Sequence, residues 1–176
     1  IPSAVSDSIA ASAMLKGLTA WFLLHETFPV KKGDTILVHA VAGGVGLILC
    51  QWAKLLGARV IGTAGSLAKA TLAKQHGCDE VILYREEPVA MRVRELTDDK
   101  GVPVVYDSIG KDTFMAGLDC LSPRGIMVTY GNASGPVDPF APGILAAKGS
   151  LFVTRPTLGH YTRTPQELDR KSTRLN

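Results

Sequence analysis

A glycine turn over residues 41–46 constrains the fold of this chain more than any other feature of its sequence. The turn follows residues 35–38, which are rich in β-branched side chains, and precedes a helix-like run that begins at Leu47. A strand that passes through a short glycine turn into a helix is the opening unit of many parallel α/β sheets. The glycines therefore argue against reading the apolar segment 36–53 as one membrane-spanning helix.

Strand and helix patterns alternate along the rest of the chain. Short apolar segments rich in Val and Ile predict strands, and the longer segments between them predict helices. This alternation is typical of a parallel sheet covered on both faces, so we predict an α/β fold: a doubly wound, parallel, six-stranded sheet of the Rossmann type. The predicted strands are 35–39, 59–63, 80–83, 102–107, 125–130 and 150–154, and the predicted helices are 7–26, 44–56, 67–76, 88–97 and 111–120.

Composition places the chain among ordinary globular domains. Its 176 residues are 46% hydrophobic and 20% charged, which argues against a disordered, collagen-like or coiled-coil chain. The net charge of +3 is too mild to predict nucleic-acid binding by itself. Three widely spaced cysteines and no secretion signal predict reduced, buried thiols in a cytoplasmic protein. The basic segment 169–176 lacks periodicity and is predicted to be a disordered or non-native tail.

The turn matches a dinucleotide-binding pattern at two of its three glycine positions. In a G-x-G-x-x-G turn, the second glycine lets the backbone approach a pyrophosphate and the third lets the helix pack on the strand. Gly43 and Gly46 occupy those positions, whereas Val41 stands at the first. With a strand before it and helix amides after it, the turn predicts dinucleotide binding. A purely structural glycine turn is the alternative.

The end of the second predicted strand indicates which dinucleotide would bind. An acid there would accept hydrogen bonds from the adenosine ribose, but residues 61–69 contain no carboxylate. Ser66 and Lys69 instead offer a hydroxyl and a cation, which suit an added 2′-phosphate and predict NADPH as the cofactor. The alternative is that Ser66 only caps the next helix and that Lys69 is a solvated surface charge.

Several longer stretches, taken together, resemble one enzyme family. They are residues 15–20 (LKGLTA), 39–46, 50–54 (CQWAK), 105–110 (VYDSIG), 130–135 (YGNASG) and 148–156 (KGSLFVTRP). This combination resembles the nucleotide-binding domain of NADPH:quinone oxidoreductases, the ζ-crystallin-like, zinc-free branch of the medium-chain dehydrogenase/reductase superfamily. The resemblance covers residues 1 to about 168, and family members are about twice as long. It implies that 1–34 form a helical lead-in beside a catalytic domain outside this chain, and that 35–168 form the NADPH-binding domain.

The resemblance also implies which residues would hold the cofactor. Gly44 and Val45 would lie along the pyrophosphate, and Gly65 would join Ser66 and Lys69 at the 2′-phosphate. The other implied cofactor-cleft residues follow the strand ends or approach from the first helix. They are Thr19, Phe22, Gly43, Tyr84, Ser108, Ile109, Asn132, Ala133, Ser134, Gly135, Arg155, Pro156, Thr157 and Leu158. The alternatives are that Tyr84 is a half-buried strand-end aromatic and that residues 132–135 form an ordinary turn.

The predicted reaction requires no reactive side chain from the protein itself. Hydride transfer from a nicotinamide needs no protein nucleophile, because the cofactor carries the reaction. We accordingly predict no catalytic residue and no metal ligands. Asp107 is interpreted as a turn or capping residue, and the four scattered histidines as structural or surface residues. The resemblance implies NADPH-dependent reduction of a quinone or another conjugated carbonyl, by a homodimer joined through the sixth strand.

Two other functions remain open at this point. An enoyl or alkenal reductase would share the cofactor site and differ in its acceptor pocket. A cofactor-gated binding module, for crystallin-type structural use or for single-stranded RNA, belongs to a different class. The sequence gives RNA only weak support, because it lacks a stripe of basic residues interleaved with aromatics.

Overall fold

The computed structural model describes residues 6–167 of the chain. The predicted tail at 169–176, residue 168 and the first five residues of the predicted lead-in lie outside the described residues. The strands are β1 Thr35–Val38, β2 Arg59–Ala64, β3 Glu80–Leu83, β4 Val102–Asp107, β5 Leu121–Thr129 and β6 Phe152–Thr154. The helices are α1 Asp7–Phe22, α2 Gly44–Leu55, α3 Leu67–Gln75, α4 Val89–Leu96, α5 Phe114–Cys120, α6 Gly143–Ala147 and α7 Leu158–Tyr161.

The strands form one sheet in the order β3-β2-β1-β4-β5-β6, and each neighbouring pair is parallel. This order confirms the predicted doubly wound α/β fold. The chain builds outward from β1 in one direction and then from β4 in the other. In such sheets the carboxyl ends of the strands form a crevice where the two directions part, here between β1 and β4.

Alternate residues of each strand point to opposite faces of the sheet, and each face is covered by helices. Ile36 and Val38 belong to one buried cluster, which also contains residues of α1, α2 and α3. Leu37, between them, belongs to a second buried cluster with residues of α4 and α5. Because both faces are buried, the strands are apolar throughout rather than alternating, which explains the pattern read from the sequence.

The structure departs from the predicted elements in three places. The first helix is α-helical only to Phe22, and a π-helical segment, Leu23–Thr27, continues it. The fifth strand was predicted to begin at residue 125 but begins at Leu121. Leu121 pairs with Val102 of β4, and the pairing resumes only at Ile126, because Pro123 lacks an amide hydrogen and Arg124 has φ 63°. The short helices α6 and α7 were not predicted. They have only five and four residues, which is too few for a helical period to be visible in the sequence.

The apolar segment 36–53 is divided between β1, the glycine turn and α2. Across residues 6–167, no helix has both the length and the apolar character needed to cross a membrane.

Candidate functional site

The turn between β1 and α2 is built around a tight approach of helix to strand. Ala40 adopts a left-handed conformation with φ 51°, and the Gly43 amide donates to its carbonyl oxygen at 2.8 Å. A Cβ added to Gly46 would lie 2.6 Å from the carbonyl oxygens of Ala40 and Val41. Only glycine fits at position 46, as expected for the third glycine of the pattern.

Val41, which stands at the first glycine position, is accommodated because the neighbouring strand β2 has no side chain at Gly62. Its side chain is fully buried, and a Cβ added to Gly62 of β2 would lie 2.6 Å from three of its carbons. The Val41 amide also donates to the carbonyl oxygen of Thr63 at 3.1 Å. The glycine missing from the turn is therefore matched by a glycine across the sheet.

His39, the first residue after β1, has a buried imidazole. Its Nδ1 is 3.1 Å from the Thr63 hydroxyl, which also accepts a hydrogen bond from the Ala40 amide at 3.3 Å. Burial lowers the pKa of His39, and the negative charge of Asp107 opposes this effect only in part. The ring is therefore neutral at pH 7, and its Nε2 has no hydrogen-bond partner among the residues that the structure describes.

A cavity of about 490 Å³ lies beside the carboxyl end of β2, and we call it the β2-side cavity. Five of the predicted cofactor residues line it: Gly43, Gly65, Lys69, Tyr84 and Ile109. A Cβ added to Gly65 would lie 2.7 Å from the Tyr84 hydroxyl oxygen, so the tyrosine sits directly over this glycine. The carboxyl ends of β2 and β3 therefore lie together at this cavity.

Two acidic residues, Glu87 and Asp112, also line the β2-side cavity. The Glu87 carboxylate accepts a hydrogen bond from the Leu83 amide at 3.2 Å and lies 3.7 Å from the Arg92 guanidinium. Glu87 follows β3 and Asp112 follows β4, so neither stands at the end of β2. The prediction that no acid binds the adenosine ribose applies only to the end of β2, because such a carboxylate would have to lie there.

Ser66 serves as the N-cap of α3. Its hydroxyl accepts a hydrogen bond from the Lys69 amide at 3.4 Å, and the residue does not line the β2-side cavity. The capping role that was the alternative for Ser66 is thus present in the structure. The Lys69 side chain, by contrast, lines the cavity, and no carboxylate pairs with it within residues 6–167.

A second cavity of about 480 Å³ lies beyond β6, and we call it the β6-side cavity. It is lined by six predicted residues: Thr19, Phe22, Arg155, Pro156, Thr157 and Leu158. Tyr130 and His160 complete the lining and were not among the predicted residues. Tyr130 directly follows β5, so its place at a strand end was the signal that could have found it. Burial raises the pKa of its hydroxyl, which a bond with Ser108 only partly offsets, so the phenol stays protonated.

The loops after β4 and β5 are hydrogen-bonded to each other. The amides of Ala133 and Ser134 donate to the carbonyl oxygens of Ser108 and Ile109, at 3.2 and 2.9 Å. Buried Asp107 accepts from the Ile109 amide and the Thr113 hydroxyl, each at 2.8 Å. Asp107 is therefore a capping residue, in agreement with its interpretation from sequence.

Arg155 connects the end of β5 and the loop after it to the segment that follows β6. Its guanidinium donates to the carbonyl oxygen of Thr129 at 2.9 Å and approaches Asn132 Oδ1 at 3.4 Å. The structure thus brings eleven of the predicted cofactor residues to the two cavities. It does not place the others in either lining: Gly44, Val45, Ser66, Ser108, Asn132, Ala133, Ser134 and Gly135.

Within residues 6–167, no three or more His, Cys, Asp and Glu side chains are grouped so that they could hold a metal ion. Cys50, Cys78 and Cys120 are free and buried.

Comparison with known proteins gives one family and a consistent set of relatives. Residues 44–170 match the family described as zinc-binding dehydrogenase. A quinone oxidoreductase of Pseudomonas aeruginosa is 58% identical over 168 residues, which cover 96% of this chain and 52% of that protein. A 2-haloacrylate reductase of a Burkholderia species is 51% identical, over 96% of this chain and 51% of its own length.

Solved structures agree with the sequence comparison. The Escherichia coli quinone oxidoreductase complexed with NADPH matches with a TM-score of 0.97 and 51% identity, covering 99% of this chain and 54% of that one. The chain therefore spans about half the length of the relatives that it matches. With the family match over most of its length and a shared fold, this chain belongs to the zinc-binding dehydrogenase family.

Proposed function

We propose that this chain is the NADPH-binding part of a quinone reductase that works by hydride transfer. The observation that carries the proposal is the β2-side cavity, which Gly65, Lys69 and Tyr84 line together and which has no carboxylate at the end of β2. A cation at this place suits a 2′-phosphate, whereas NADH would call for an acid. The named relatives, quinone oxidoreductases at 51–58% identity, support the same activity.

The residues present fit this cofactor. Gly43 and Gly44 leave exposed backbone at the N-terminus of α2, where helix amides favour a pyrophosphate. Lys69 and Gly65 would hold the 2′-phosphate, with Ser66 positioning the first turn of α3. Thr19, Phe22 and Arg155 would flank the nicotinamide in the β6-side cavity.

The chain's contribution to the reaction is to bind, to orient and to exclude water. NADPH, when bound, supplies the hydride. The apolar Phe22, Pro156 and Leu158 would restrict water in the β6-side cavity. Arg155 fixes the end of β6 against the loop after β5, which would keep the two sides of the cavity at a constant separation. No side chain of the described residues is assigned a proton-transfer step.

A quinone is the proposed acceptor, and a conjugated acid is the second candidate. The relative named 2-haloacrylate reductase, at 51% identity, specifically favours this alternative. Both acceptors are electron-poor conjugated systems that take a hydride from the same cofactor. Steady-state reduction of a benzoquinone and of 2-chloroacrylate by the longer protein that contains this chain would separate the two.

The cofactor assignment is tested by calorimetric titration of the folded chain with NADPH and with NADH. We expect NADPH to bind more tightly, and Lys69→Ala to weaken NADPH about tenfold or more because it removes the charge facing the 2′-phosphate. NADH should bind the variant and the wild type equally well. Lys74→Ala, at an exposed lysine near the C-terminus of the same helix, is the matched control and should change neither affinity.

An equal loss of NADPH and NADH affinity in Lys69→Ala would contradict the 2′-phosphate assignment. A folded wild-type chain that binds neither nucleotide would contradict the proposal as a whole.

The proposal extends to assembly and location. Phe152 on edge strand β6 is 60% exposed, which supports pairing of two copies through this strand in a homodimer. Light scattering of wild type and Phe152→Glu would test the dimer, and a monomeric wild type would refute it.

The proposed location is the cytoplasm. Three free, buried thiols support a reducing compartment of this kind.

A further inference from the structure

Lys16 of α1 lies over the glycine turn, although α1 is remote from the turn in sequence. A Cβ added to Gly44 would lie 2.8 Å from Lys16 Cε and 3.2 Å from its Nζ. The lysine side chain therefore occupies the space that opens above Gly44 because this residue has no side chain. Lys16 is exposed, and no acid pairs with its ammonium in the part of the chain that the structure describes.

This placement is electrostatically unfavourable in the absence of an anion. The N-terminus of α2 begins at Gly44 and carries the positive end of the helix dipole. A lysine at this end of a helix is repelled, whereas an acid would be attracted. The first turn of α2 contains no acidic residue that could offset the repulsion. An anionic ligand held between the ammonium and the helix amides would turn both positive groups into binding partners.

Helix α1 leads from the turn to the β6-side cavity. Lys16, Thr19 and Phe22 follow one another at intervals of three residues, so each step rises about 4.5 Å and is offset by about 60° around the helix. Thr19 and Phe22 line the β6-side cavity, while Lys16 covers Gly44. One helix thus presents a cation at the turn and nonionic side chains at the cavity.

A second, independent observation is a buried polar atom without a hydrogen-bond partner close to the turn. His39 directly follows β1, is 1% exposed and lines the β2-side cavity. Its Nε2 is buried and has no hydrogen-bond partner in residues 6–167. Buried polar atoms are rarely left unsatisfied, so a group from outside the described residues, either a water or a ligand, is expected here.

We propose that Lys16 is a cofactor-binding residue that neutralises the pyrophosphate of the bound dinucleotide. The inference rests on the proposed function and adds a division of work between two lysines. Lys69 faces the group that only NADPH has, and it sets cofactor selectivity. Lys16 faces the group that NADPH and NADH share, and it contributes affinity without selectivity.

The test is calorimetric titration of wild type, Lys16→Met, Lys16→Arg and Lys74→Met with both nucleotides. Methionine keeps the length and apolar stem of the lysine but removes its charge. We expect Lys16→Met to weaken NADPH and NADH by the same factor, about fivefold to tenfold, as for loss of one partly exposed charged contact. Lys16→Arg should recover most of this loss, and the distant Lys74→Met should show none.

Salt provides a second readout that a merely structural role would not move. Because ions screen exposed charges, the affinity gap between wild type and Lys16→Met should shrink as salt rises from about 0.05 to 0.5 M. An unchanged affinity in Lys16→Met, or a loss confined to NADPH, would overturn the role of Lys16. Failure of the folded wild type to bind either nucleotide would instead overturn the proposed function, so the two failures are distinguishable.

Discussion

The two cavities at the carboxyl edge of the sheet are assembled in different ways. The β2-side cavity takes most of its lining from one stretch of chain, residues 39–89, in which each strand passes directly into its helix. The β6-side cavity joins α1, the end of β5 and the segment that enters α7, which are far apart in sequence. The first cavity thus depends on tight local geometry, and the second on contacts between distant segments.

This difference suggests separate responses to mutation. A change in the glycine turn should disturb folding, because the turn is part of the packing of α2 on the sheet. A change at Arg155 should disturb ligand binding on one side only, because Arg155 lines the β6-side cavity alone and its hydrogen bonds reach only the end of β5 and the loop after it.

The largest effect is expected at Gly46. Alanine there would place a Cβ 2.6 Å from two backbone carbonyl oxygens, which cannot move without shifting the turn. We expect Gly46→Ala to lower the free energy of unfolding by about 3 kcal/mol, although alanine is the better helix former. Urea unfolding measures this change. Gly143→Ala is the matched control, because a Cβ at Gly143 meets nothing within 4 Å. Equal stability of the two variants would show that the turn is not tightly packed.

A smaller, one-sided effect is expected at Arg155. Arg155→Met removes the hydrogen bonds to Thr129 and Asn132. The variant should bind NADPH about tenfold more weakly than the wild type. The nucleotide 2′,5′-ADP carries the phosphates of the adenosine half without the nicotinamide, so its affinity should not change. Lys69→Ala should weaken the binding of both NADPH and 2′,5′-ADP. Calorimetry with both nucleotides provides the measurement, and a loss of 2′,5′-ADP binding in Arg155→Met would show that the two cavities are coupled.

The smallest effect is a pH dependence that belongs to the first cavity. Burial lowers the pKa of His39 from the ordinary 6.5, so below this pH the unfolded chain takes up a proton that the folded chain refuses. The contribution of His39 to stability is therefore complete above pH 6.5 and is lost as the pH falls towards the folded-state value. Between pH 7.5 and 5.5 we expect a loss of about 1 kcal/mol from this group.

The measurement is urea unfolding of wild type and His39→Gln across this pH range. The variant should show a flatter dependence, whereas His160→Gln, at an exposed position, should follow the wild type. Parallel curves for wild type and His39→Gln would mean that the imidazole can be protonated in the folded protein.

The same division explains how much the sequence could predict. The strand, turn and helix around Gly43 and Gly46 were predicted closely, because each depends on residues within a few positions of one another. Ser66 likewise begins α3 as its N-cap, one residue before the predicted start of the helix. For the β2-side cavity, strand order alone brings Gly65 and Tyr84 together at neighbouring strand ends.

The β6-side cavity was less accessible to sequence reasoning. Tyr130 and His160 enter its lining through the packing of distant segments, such as the stacking of Phe22 on Tyr161 at 4.4 Å. Helix α7 is too short to show a period, and its position depends on α1. The placement of Lys16 over Gly44 has the same origin, because no spacing rule relates α1 to the turn.

The pairing of Val41 with Gly62 has a consequence for how this sequence can change over time. A glycine at position 41 alone would leave a void, and a larger residue at position 62 alone would collide with the valine. A larger residue at position 62 becomes acceptable only after position 41 has become glycine, so the order of the two mutations matters. The turn that looks incomplete by its own pattern is thus one half of an epistatic pair, whose second member lies in the next strand.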